Sequence, residues 1–420
     1  MTCIKYLYLG LLWAALGFIV AAAVPGGTST TLAQQAKAEG VRPEVGKPLQ
    51  AAQDLMKARR YQEALAKVRE AENASNKTAY ESYLIERMRG SAAASAGDTA
   101  TAVKSFEAVI GSGRLSSAEQ LKMVEAVAGM YYRANNYPKA AVWISRYLKE
   151  GGTDPQMRTL LIQSYYLNGD CLSVSRELQS ELQADEKAGR APPEERLQLL
   201  ASCYVKQKDN AGYATALEKL VTYYPKKDYW VDLINRIQRK PGYADRLSLD
   251  VYRLKLATGN LTTAGDYMEM AQLALQAGFP AEAKKVVDQG FASGALGTGS
   301  DADRQKRLRD LVMKQLADAQ KALVQNETEA AAVKDGTDLI NIGFAYVSNG
   351  QFDKGLSLME QGIRKGGLKR PEDAKLHLGI AYLLAGQKAK AVQTFKTVQG
   401  QDGTADLARL WGIHARRSAA

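Results

Sequence analysis

Few side chains in this 420-residue chain are of types that do chemistry, and their spacing argues against catalysis. His377 and His414 are the two histidines. Both sit among helix-spaced apolar residues, where a partly buried structural role is the default. No HExxH metal pair occurs, and no Ser/His/Asp set can be assembled around either imidazole. The closest imitation of a phosphate loop runs from Gly40 to Lys47, but it has five residues between its glycines and Pro48 where a magnesium-binding Ser or Thr belongs. The glycines of 290–299 do not spell GxGxxG. We therefore expect no enzyme, no cofactor and no metal.

Sulfur leaves one question open. Cys3 lies in an N-terminal apolar run. Cys171 and Cys203 lack the close-set Cys or His neighbours of a zinc site. Either they are two buried apolar thiols, or they form a structural disulfide, which an oxidising compartment permits.

The elements that must position these residues are repeats. Residues 338–363 read DLINIGFAYVSNGQFDKGLSLMEQGI, and 375–398 read KLHLGIAYLLAGQKAKAVQTFKTV. The second stretch repeats the first at an offset of 36 residues, so that Gly343 maps to Gly379, Tyr346 to Tyr382, Gly350 to Gly386 and Met359 to Phe395. Each is a pair of short amphipathic helices joined at a glycine turn. Neither pair can bury its apolar face alone, so the pairs must stack. Low proline content and Ala/Leu/Lys/Glu/Gln-rich runs also favour helix.

With small Gly379, aromatic Tyr382, Gly386, small Ala391, large Phe395 and Val398, these units resemble the tetratricopeptide repeat. The same frame places its small helix-A residue at Ala52, Gly90, Ala128, Ile162, Ala201, Ile234, Ala271, Gly343 and Gly379, with one degenerate repeat near 300–334. The fold expected is an all-α solenoid of stacked helix-turn-helix repeats. Its domains would be a first solenoid over 47–240 and a second over 241–420, bent at Pro241-Gly242. Residues 294–300 read as a flexible linker, 301–333 as charged helices, and 404–417 as an end-capping helix.

The resemblance implies a binding scaffold whose partner lies along the inner face of each first helix. Carried over residue by residue, that face is Tyr132, Arg133, Gln163, Tyr166, Ser202, Lys206, Asn235, Arg239 and Phe344. A narrower likeness covers 229–291, where YWVDLINRIQRK and MAQLALQAGFPAEAKKVVDQG are similar to tetratricopeptide proteins accompanying TonB–ExbB systems. It implies a periplasmic accessory of an inner-membrane motor. The alternatives are an assembly factor for outer-membrane or polysaccharide export, a cell-wall scaffold, or an envelope enzyme.

Residues 1–33 read as a signal peptide, cleaved before Gln34, or as a retained anchor through which alone the protein would touch a membrane. A flexible lead-in over 34–46 follows. The protein would then be exported and periplasmic, with a protein partner in the cell envelope. The formal charge of +11 is densest over 226–255. For an exported chain this argues against nucleic acid. It suits an acidic protein surface, an anionic envelope polymer or a solvated helix face.

Overall fold

A computed structural model describes residues 40–417; the signal or anchor assigned to 1–33 lies outside them. Twenty α-helices and one 3-10 turn make up the described residues, with no strand among them. They divide into two compact units, one ending at Gly152 and one beginning at Thr153.

The first unit holds three hairpins: α1 (Pro43–Lys57) with α2 (Tyr61–Glu72), α3 (Ala79–Ala96) with α4 (Thr99–Gly111), and α5 (Ser117–Arg133) with α6 (Tyr137–Lys149). The second begins with α7 (Pro155–Leu167) on α8 (Cys171–Lys187) and α9 (Glu194–Gln207) on α10 (Asn210–Tyr223). Then come α11 (Lys227–Gln238), a 3-10 turn (Asp245–Leu247), α12 (Ser248–Ala257), and the pair α13 (Ala264–Gln276) and α14 (Pro280–Ala292). It ends with α15 (Ala302–Ala332), α16 (Thr337–Ser348), α17 (Phe352–Lys365), α18 (Pro371–Leu384), α19 (Lys388–Thr397) and α20 (Thr404–Arg417).

A two-residue device makes four of the turns. Gly97, Asn135, Gly169 and Lys208 take positive φ and stop the first helix. The next residue, Asp98, Asn136, Asp170 or Asp209, then caps the second helix, its side chain accepting a backbone N–H from Thr101, Lys139, Ser173 or Gly212.

Small residues set the spacing inside a hairpin, as the repeat frame requires. A Cβ added at Gly90 would lie 2.6 Å from the Phe106 ring, and one at Gly379 would lie 2.4 Å from Phe395. Between hairpins, Tyr131 donates to Glu107 at 2.8 Å and Tyr382 to Glu360 at 2.6 Å. Tyr346 donates to Glu327 in the same way. Lys139, Lys390 and Lys354 cover the three rings at 5.1, 5.3 and 4.4 Å. In these three repeats the tyrosine of helix A thus ties its repeat to the helix before.

Four expectations change. The helical region starts at Pro43, inside the expected lead-in, because Arg42 is anchored: its guanidinium binds the buried carboxylate of Glu81, with Nη2 at 2.8 Å. Residues 301–333 hold a single 31-residue helix, α15, since nothing in its 3.6-residue period interrupts it. The glycine-rich stretch 294–300 is tied down: Leu296 is buried against Gly290, and the Gly297 amide bonds the Gln305 side chain at 2.6 Å. Finally, one core runs from Ile162 to Ala415, so Pro241-Gly242 is a turn within the second unit and the core is not divided there.

α20 is buried on more than one side. Thr404, Asp406, Leu407, Ala408, Leu410, Trp411, Gly412, Ile413 and Ala415 are all covered. It packs on α18 and α19, and also on α10 and α12 from much earlier in the chain. Arg409 reaches Glu218 at 2.8 Å, Lys240 reaches Asp406 at 2.8 Å, and the Ala244 amide bonds the Asp402 carbonyl at 3.0 Å. The second unit therefore closes on itself.

Candidate partner-binding face

The sequence-derived face separates into exposed, half-buried and core residues. In the first unit Arg133 is exposed, while Tyr132 is half-buried with its ring edge-on to Tyr137 at 5.7 Å. Burial, with Tyr137 nearby, raises the Tyr132 phenol above its ordinary value.

In the second unit Tyr166 on α7 and Lys206 on α9 come together. The ammonium lies 4.1 Å from the ring centroid, a cation–π pair that joins two neighbouring helices. Gln163 is exposed on α7, Ser202 is half-buried on α9, and Asn235 and Arg239 are half-buried and exposed on and just after α11.

Phe344 must be taken off this face. It is 1% exposed, with Arg253 at 4.5 Å from its ring, Phe279 at 5.0 Å and His377 at 5.7 Å. The surface that the repeat frame leaves for a partner is here filled by α12 and the start of α14.

The residues missed are aliphatic. Leu167, Val205 and Val231 are 51%, 55% and 43% exposed. Each shares a helix face with an expected residue: Leu167 is four on from Gln163, Val205 three on from Ser202, and Val231 four before Asn235. The signal was an apolar residue outside the packing positions of the repeat, but Ala and Leu are too common for that to stand out.

Most of the basic stretch 226–255 is internal glue, with Lys227 and Arg239 left exposed. Lys226 pairs with Glu194, Arg236 with Asp232, Lys240 with Asp406, and Arg246 with Asp373 and Asp402. Arg253 is buried and holds Asp250 at 2.8 Å and Glu282 at 2.7 Å. His377 completes this cluster, its Nε2 lying 3.0 Å from Asp250. Burial pushes the Asp250 carboxyl up, but His377 and Arg253 more than offset it and hold the group at about 2.

Cys171 and Cys203 are free, buried thiols on α8 and α9. Burial first, and Cys171 second, push the Cys203 thiol up to about 12. Among the described residues no group of three His, Cys, Asp or Glu side chains could hold a metal ion, and no helix is long and apolar enough to cross a membrane.

One tetratricopeptide-repeat model matches residues 49–114, 87–155 and 341–406, and a second matches 197–227. The chain is a tetratricopeptide-repeat protein. Its repeats mark it as a protein-interaction scaffold. Solved structures similar to this tetratricopeptide-repeat protein include one from Parabacteroides merdae, at 10% identity, with 79% of this chain and 99% of that one covered and a TM-score of 0.26. Yeast Tom70 aligns at 12% identity over 89% and 96% of the two chains, with a TM-score of 0.25. The P58(IPK) TPR domain aligns at 14% identity over 89% and 97%, with a TM-score of 0.22. No curated protein matches the sequence.

Proposed function

We propose that this protein is an exported, non-catalytic scaffold that holds a protein partner in the bacterial cell envelope, as an accessory of a TonB-type energy-transduction system. The observation that carries the binding part is the Tyr166–Lys206 pair, with Leu167 and Val205 exposed beside its two members in the chain and Val231 exposed on α11. A partner segment that lays apolar side chains on the aliphatics and an acidic group near Lys206 fits this surface. The apolar N-terminal run and the likeness of 229–291 to TonB-associated repeats support the envelope setting. Arg133 and Arg239 extend the positive charge within their own units.

The test is affinity capture from envelope extract with the parent chain and a Tyr166→Ala, Lys206→Ala variant. The parent should recover one stoichiometric partner, and the variant should melt like the parent but lose that partner. Added salt should slow association more than it speeds release, because screening acts on long-range encounter. Equal capture by both chains would move the binding site elsewhere. N-terminal sequencing of the mature protein from a periplasmic fraction tests export.

A further inference from the structure

A cavity of about 370 Å³ lies between α16 and the start of α18. Ile340, Leu368 and Ala374 form its apolar wall. Its size is at the lower end of the range for small-molecule sites, which combine such walls with a few placed polar groups.

The polar groups lean to one sign. Asp373 is the only carboxylate in the lining, and Arg246 grips both its oxygens at 2.8 Å, so its charge is already answered. Arg370 and Lys369 also line the cavity, and both are exposed. Neither makes an ion pair with a described side chain; the charge of Lys369 is felt only at longer range, by Asp335. His377 forms part of the lining with its Nε2 committed to Asp250, which leaves Nδ1 as its free ring nitrogen. Asp250 is fixed in turn by buried Arg253, so the ring is held in place.

We infer that this cavity binds the carboxylate of a small organic acid. The planar fork of Arg370 matches the two oxygens of a carboxylate, and Lys369 adds charge. A short hydrocarbon body then lies on the apolar wall. The site belongs to α16 and α18, apart from the Tyr166–Lys206 pair on α7 and α9, so neither reading depends on the other.

The two histidines make the test direct. Labelling only histidine with carbon-13 and nitrogen-15 gives two imidazole signals. His377 reports the cavity, and His414, set edge-on between Trp230 and Trp411 on α20, is the internal control. The full chain is titrated with 3-phenylpropionate, glutarate, inorganic phosphate, and a blocked peptide with one internal glutamate. We expect 3-phenylpropionate or glutarate to move the His377 signal saturably, with a Kd on the order of 1 mM, and to leave His414 still. Arg370→Gln should weaken that binding about tenfold or more, and Lys369→Gln by less. The histidine spectra of both free variants should match the parent. No shift by about 10 mM, His414 moving in step, or unchanged titration in both variants overturns the site. Tighter binding of phosphate overturns the carboxylate assignment. Tighter binding of the blocked peptide assigns the cavity to a protein chain and overturns the small acid. The Tyr166→Ala, Lys206→Ala variant should titrate like the parent whether or not it captures a partner.

Discussion

Gly343 and Gly379 occupy the same repeat position but tolerate a methyl group differently. At Gly343 the new Cβ would lie 2.7 Å from the Gly355 carbonyl oxygen and 2.9 Å from the Met359 amide nitrogen, both backbone atoms. At Gly379 it meets the Phe395 ring, which can turn aside. Gly to Ala in a helix gains up to about 1 kcal/mol, and overpacking costs about 1–3 kcal/mol. We expect Gly343→Ala to lose about 2 kcal/mol in denaturant unfolding and Gly379→Ala to lose about 1 kcal/mol or less. Equal losses would show that the α16–α17 backbones can part as easily as the ring can turn. These glycines were readable because their partners lie about sixteen residues on, within one hairpin. The thiols were readable only as a choice. With Cys203 held as a protonated thiol, a chain without residues 1–33, and so without Cys3, should ignore thiol reagents when native, and unfolding it without reductant should release two reactive thiols. If none appears until reductant is added, the two are bridged.

At the scale of elements, the start of α1 shows what local pattern leaves out. Nothing near Arg42 announces Glu81, thirty-nine residues on. That pair decides where order begins, and it also predicts a pH effect. Arg42 first, and the Thr78 amide second, hold Glu81 at about 2, while an unfolded glutamate titrates near 4.3. A depressed carboxylate stabilises the folded state above its unfolded value, and that contribution disappears as pH falls from about 4 to about 2. Protection of the α1 amides, taken relative to intrinsic exchange at each pH, should therefore fall across this window in the parent. Arg42→Gln should show fast exchange at neutral pH and a flatter acid profile. A parallel profile in the variant would remove the pair from the anchoring of α1. Phe344 shows the opposite failure. The repeat frame puts it on the inner face of helix A, but the frame describes one hairpin and its neighbours and does not report that Arg253 of α12 covers that ring.

At the scale of the whole molecule, what the sequence left hidden are contacts between residues more than a hundred positions apart. Asp250 with His377, Arg246 with Asp373 and Lys240 with Asp406 are separated by 127, 127 and 166 residues. No periodicity joins them, and the glycine and tyrosine spacings that revealed the repeats are blind to them. These contacts change what truncation should do. In an open solenoid each repeat touches only its neighbours, so losing the last one uncovers only the one before. Deleting 404–420 from this chain also strips α10 of Arg409, Lys240 of Asp406, Trp230 on α11 of His414, and α12 of its packing on α20. Hydrogen-exchange protection should then fall in α10–α12 as well as in α18 and α19, and the shortened chain should aggregate through its uncovered apolar faces. Loss of protection in α18 and α19 alone would mean that the closure seen here adds no stability to the earlier helices, and that the second unit behaves as an open stack.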